Sequence, residues 1–139
     1  MATDALYTPV VLGLAASLAD HPLDESLPFK GESRSKTCGS TIMLGLATDA
    51  DGRIDRVGLK SQACAIGQAA AAIFAHAATG QTGLQVHEAE GRIKSWLSGE
   101  GDIPDWPGLS AIATAREYPG RHDAIMLAWQ AARDILPLD

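Results

Sequence analysis

The chain has 139 residues, 46% of them hydrophobic and 20% charged, and a formal net charge of −6 at pH 7. It is long enough to bury one core in one domain spanning residues 1–139, and an acidic chain with no Lys/Arg cluster lacks what phosphate-backbone binding needs, which excludes nucleic acid as the expected partner. The longest apolar run, Pro9 to Ala19, is too short to span a bilayer, and no Lys or Arg precedes Lys30 to supply a signal peptide's positive end; the expectation is a cytoplasmic protein without a membrane segment, whose two cysteines are thiols or ligands rather than a disulfide.

Thr8-Pro9 reads as an N-cap followed by proline at the first helical position, and Val10, Val11, Leu14 and Leu18 give that helix its apolar stripe. Asp20-His21-Pro22 stops it, with His21 expected in a solvated loop. From Phe29 to Lys36 the charges Lys30, Glu32, Arg34 and Lys36 fall on alternate positions, the pattern of a strand with one wet face leading into Cys38. Ile42, Leu44 and Leu46 then repeat with a period of two, and Asp49-Ala50-Asp51-Gly52 offers a tight turn. The return strand carries Ile54, Val57, Leu59 and Ser61. Antiparallel pairing across that turn brings residues before Thr41 alongside residues after Lys60. Cys38 and Cys64 are therefore expected to meet although 26 positions separate them.

After Cys64, the run Ala65 to Thr79 consists almost wholly of helix formers, with Ile66, Ala70, Ile73, Phe74 and Ala77 at helical spacing and Gly80 as the stop. Cys64 is then a helix-start residue, where unpaired N–H groups favour the thiolate that binds metal or attacks sulfur. The other reading of both cysteines is as small buried hydrophobes. Thr82 and Gln85 fit a capping box for a helix running through Ala89, Ile93, Trp96 and Leu97. Ser98 to Gly108 is a polar loop anchored by Trp106, and a short helix is expected from Leu109 to Glu117. Tyr118-Pro119-Gly120 is a turn, and the last helix starts near His122 or Asp123 and runs to Leu136, facing the core with Ile125, Ala128, Trp129 and Ala132.

Strands followed by helices indicate an α+β fold: a small three-stranded antiparallel sheet packed against helices, with an N-terminal helix and a long C-terminal one. No nucleophile elbow, glycine-rich phosphate loop or CxxC motif is present, so no turnover enzyme is expected and the chemistry falls to the cysteines. His76 and His87 read as surface residues of their helices.

With these motifs in place, the chain resembles the IscU/NifU-type iron–sulfur cluster assembly scaffolds, and within them the SufU-like branch. Thr37-Cys38-Gly39-Ser40 is similar to the family's Cys-Gly-Asp motif, Gly52-Arg53-Ile54 to its hairpin turn, and Ala63-Cys64-Ala65-Ile66 to its second-cysteine motif. Tyr118-Pro119-Gly120-Arg121 through Met126-Leu127-Ala128-Trp129 is similar to the run around the third cysteine. The resemblance implies that fold and a non-enzymatic scaffold or carrier holding an iron–sulfur cluster, iron or zinc at Cys38 and Cys64. It also implies a cysteine desulfurase and cluster acceptors as partners, and admits a dimer.

Two family ligands are replaced: Ser40 stands for the aspartate, and Ala124 for the third cysteine. Two thiolates do not complete the usual four-ligand set. Asp123, aligned with a histidine of the IscU branch, and the adjacent His122 are the candidates to join Cys38 and Cys64 as metal ligands, although Asp123 equally suits a helix cap. Two alternatives stay open. One is a zinc-organised sulfur acceptor with Cys64 as the persulfide carrier; the other is a family member that has lost metal binding and acts as an interaction module.

Overall fold

The computed structural model describes residues 6–36 and 39–137. Thr37 and Cys38 lie outside the described residues, and with them the expected meeting of Cys38 and Cys64. Helix α1 spans Pro9–Ser17, with the Thr8 side-chain oxygen accepting from Val11 N at 3.1 Å, and a 3-10 turn at Leu18–Asp20 extends it. Three antiparallel strands follow in the order β1-β2-β3: Phe29–Arg34, Thr41–Thr48 and Ile54–Gln62. The first ends two residues short of its expected limit at Lys36. Helices α2 (Ala65–Ala78), α3 (Gly83–Leu97) and α4 (His122–Ile135) complete the α+β architecture.

The hairpin forms as its period of two dictates. Leu44 pairs with Leu59 and Thr41 with Gln62, and Ile42, Leu44 and Leu46 are buried on the helix-facing side. At the turn, Asp49 Oδ1 accepts from the backbone N–H groups of Asp51 and Arg53 at 2.9 and 3.0 Å, and Gly52 supplies a φ of +80°. A bulge follows, because Ala47 pairs with Arg56 but Thr48 pairs with Ile54.

The sheet's other face is covered by the segment from His21 to Leu27. Leu59 N donates to the His21 carbonyl at 2.9 Å, and Leu27 is 2% exposed. The cover lies this close because Gly45 and Gly58 are cross-strand partners. A Cβ at Gly45 would stand 2.8 Å from Leu27 Cδ1, and one at Gly58 would run into the Pro22 carbonyl oxygen.

Helix α2 buries ten of its fourteen residues, mostly alanines, so neighbours can approach it from several sides. Its C-terminal turn is clipped to the start of β3, with Gly80 N donating to the Ile54 carbonyl at 2.7 Å and Ile54 N to that of Gln81 at 2.9 Å. Thr82 and Gln85 form the expected capping box of α3. Trp106 anchors its loop by donating to the Ile73 carbonyl at 3.0 Å and stacking on Phe74; Trp129 stands edge-on to both rings, with centroids 5.5 Å away. Leu109–Glu117 is a 3-10 run with a kink at Ile112 rather than a regular helix. Arg116 fixes it, donating to the Trp96 carbonyl at 2.7 Å and to that of Gly101 at 3.2 Å. Among the described residues no helix is long and apolar enough to cross a membrane.

Two glycines separate packing from propensity. Gly58→Ala should lower stability by about 1–3 kcal/mol, because the added methyl overpacks the covering segment. Gly91→Ala, inside α3 with nothing within 4 Å of the added carbon, should raise stability by about 0.5–1 kcal/mol. Urea unfolding of both variants reads the difference.

Candidate functional site

Cys64 sits where β3 hands over to α2. Gln62 is the last paired residue of the strand, opposite Thr41, and Cys64 is the N-cap of the helix with φ −65° and ψ 169°. Its carbonyl begins the helical ladder by accepting from Gln68 N at 2.9 Å, while Gln68 Nε2 reaches back to the Ala63 carbonyl at 3.2 Å. The Cys64 side chain makes no capping hydrogen bond, unlike the Thr8 and Thr82 caps of α1 and α3. Its thiol is free and half-buried at the start of α2, where the first N–H groups of the helix have no intrahelical partner.

Two further elements converge on this turn. Gly67, one turn into α2, faces the start of α4 so closely that a Cβ there would lie 3.2 Å from the Cβ of Ala124 and 2.8 Å from that of Ala63. The position at which the resemblance puts a third cysteine is therefore next to the Cys64 turn, and it is filled by a buried methyl group. From the other side, the connection between β1 and β2 closes through Ser35 N donating to the Ser40 carbonyl at 2.8 Å, with Gly39 at φ +72°. Ser40 is 5% exposed, so a neutral hydroxyl is buried where the family pattern has a carboxylate. Since Thr41 pairs with Gln62, the described part of this connection at Gly39 and Ser40 lies at the same end of the sheet as Cys64.

The candidates on α4 are placed differently. Asp123 is in the first turn but is not the cap: Arg121 holds that position, after a 3-10 turn at Pro119–Arg121. The carboxylate is instead a first-turn residue favoured by the helix dipole. His122 Nε2 lies 3.1 Å from the Ala115 carbonyl oxygen and 2.9 Å from that of Arg116. Carbonyls only accept, so this nitrogen carries the proton, and Nδ1 is the atom with a lone pair. At about 100° per residue, His122 is some 160° around the helix from Ala124 and Asp123 some 100°. Both line a groove with Lys94, Ser98 and Met126 between α3 and α4. Among the described residues no group of three His, Cys, Asp or Glu side chains surrounds a metal position. The described part of the site offers one thiol and one buried hydroxyl, which does not complete a metal's ligand set.

No protein-family model matches the chain, and no curated protein matches it in sequence. Solved structures do. An N-terminal NifU-like protein from Brucella abortus, titled as nitrogen-fixing, superimposes with a TM-score of 0.85 at 25% identity, over 97% of this chain and 94% of that one. An iron–sulfur cluster assembly scaffold protein for the SUF system from Fervidobacterium islandicum AW-1 superimposes with a TM-score of 0.84 at 20% identity, over 95% and 97% of the two chains.

The structure also pairs two residues that the sequence keeps apart. The rings of His21 and His76 have centroids 5.1 Å apart. Nothing local signals this, since it depends on how the end of α1 packs on α2. Burial of the His21 ring, and then the charge of His76, pull its pKa below the ordinary histidine value, against an opposing effect of Asp20. The folded chain thus binds this proton less readily than the unfolded chain. The stability at stake is fully present above the unfolded pKa of about 6.5 and is lost as the pH falls through the lower folded value. Thermal melts in chelator between pH 8 and pH 5 should show a decline that is shallower in His21→Gln.

Proposed function

Proceeding from a chain with the IscU/NifU/SufU-type scaffold fold, we propose that it acts as a non-enzymatic scaffold or carrier in iron–sulfur cluster assembly. Its cargo is iron, zinc or a cluster, taken up at Cys38 and Cys64 and passed on to acceptor proteins. The observation that supports this reading is the convergence at one end of the sheet of Cys64 with an uncommitted thiol, Gly39 and Ser40 of the connection between β1 and β2, and the first turn of α4 at Ala124.

The two thiolates supply soft ligands suited to zinc or iron. Asp123 is the nearer α4 candidate for a third ligand; His122 would serve through Nδ1, and either would have to turn towards the Cys64 side. With Ala124 and Ser40 in place of a thiolate and a carboxylate, the site carries two fewer negative charges than the family pattern. It therefore holds its cargo more weakly. Its partners on this reading are a cysteine desulfurase as sulfur source and apo-proteins as acceptors, in the cytoplasm.

A second reading is favoured by the free, half-buried Cys64 thiol at the start of α2. Its thiolate would attack the outer sulfur of a desulfurase persulfide, forming a persulfide on Cys64 and releasing the desulfurase thiolate. A bound zinc would only order the site. Mass spectrometry of the Cys64 peptide after incubation with a desulfurase and cysteine detects the added sulfur.

Metal and sulfide analysis of protein purified anaerobically without chelator, then reconstituted with iron and sulfide, tests the scaffold reading. Wild type should retain metal, Cys38→Ala and Cys64→Ala should lose it, and Asp123→Ala should retain less. Ala124→Cys should hold metal against chelator at least about tenfold more tightly, equivalent to about 1.4 kcal/mol. Absence of metal from both wild type and Ala124→Cys would overturn the proposal.

A further inference from the structure

We propose that His21 and His76 form a second metal site, separate from the cysteines, that takes one divalent transition cation of the zinc or nickel class between the end of α1 and the end of α2. His76 is twelve residues along α2 from Cys64, which at 1.5 Å per residue places the two sites about 18 Å apart.

The ring geometry fits a shared cation. The centroids lie 5.1 Å apart with the planes inclined at 45°. Two imidazoles bound to one tetrahedral Zn²⁺ at the usual Zn–N distance of about 2.0–2.1 Å have their ring centres about 5 Å apart.

The hydrogen bonds around His76 fix which nitrogen is available. The Ser17 hydroxyl gives its proton to the Leu14 carbonyl at 2.6 Å, so its 3.2 Å contact with His76 Nε2 requires that nitrogen to be the donor. The chain from His76 through Ser17 to the Leu14 carbonyl leaves Nδ1 with its lone pair. Ligating histidines are oriented in this way, by a partner for the ring nitrogen that does not bind metal.

The electrostatics favour a cation as well. His76 is in the last turn of α2, and His21 closes the 3-10 turn that extends α1, so the carbonyl-bearing ends of two helical segments converge here. Asp20 lies close enough to His21 to act on its charge. Two protonated imidazoles would repel one another, whereas neutral rings share a cation without that penalty. Since no third His, Cys, Asp or Glu among the described residues completes the set, water fills the remaining positions and the affinity belongs in the micromolar range. His76 is exposed and His21 half-buried, which leaves the cation a path from solvent.

Zn²⁺ titration of the full chain carrying Cys38→Ser and Cys64→Ser isolates this site from the cysteines, so its failure and that of the scaffold reading are distinguishable. Calorimetry should show one equivalent bound with micromolar affinity. That binding should weaken at least tenfold in both His21→Gln and His76→Gln and stay unchanged in His87→Gln. In the protein with all its histidines, NMR should show Zn²⁺ shifting the imidazole resonances of His21 and His76 together. No saturable binding, or binding that survives either the His21 or the His76 substitution, would overturn the proposal.

Discussion

The contact between the first turns of α2 and α4 sets the geometry of everything around it. A Cβ added at Gly67 would lie 2.8 Å from that of Ala63 and 3.2 Å from that of Ala124, so no larger residue fits at Gly67 without movement. With α2 almost wholly buried and clipped to β3 at its far end, its N-terminus has little freedom to shift. Cys64, as the residue that starts α2, is thereby held beside α4 and beside the connection leaving β1. The site is a product of packing: three chain segments distant in sequence are brought to one end of the sheet by small residues.

Much of this was legible in the sequence because local physics determines it. The alternation of Ile42, Leu44 and Leu46, the Asp49–Gly52 turn, the Thr8 and Thr82 caps and the Pro9 start are short-range signals, and each element formed where they put it. What escaped depends on long-range contact. Gly45 and Gly58 look like weak points in strands until Leu27 and Pro22 are seen lying on them. The 3-10 geometry of Leu109–Glu117 follows from being held between α2, Trp96 and Gly101 rather than from residue preference. His21 and His76 looked like two unrelated polar residues, and only tertiary packing pairs them.

The candidate site divides in the same way. That Cys64 starts a helix could be read from the alanine-rich run behind it. That Asp123 is not the helix cap, and that His122 is tied to the carbonyls of Ala115 and Arg116, could not, since both depend on the 3-10 turns preceding α4. The replacements at Ser40 and Ala124 act in one direction: each puts a small neutral group where the family pattern supplies a negative ligand. Fewer anionic ligands mean weaker retention of a cation, which suits a carrier better than a permanent metal centre.

The most direct test of the convergent site is X-ray absorption at the metal edge of the anaerobically isolated, metal-loaded protein, since it counts the ligand atoms themselves. The account predicts two sulfur neighbours per metal when the cargo is a single zinc or iron ion, with oxygen or nitrogen completing the shell, and no retained metal in Cys64→Ala. A shell with no sulfur would contradict it and place the cargo, if any, away from the end of the sheet where α2 and α4 meet.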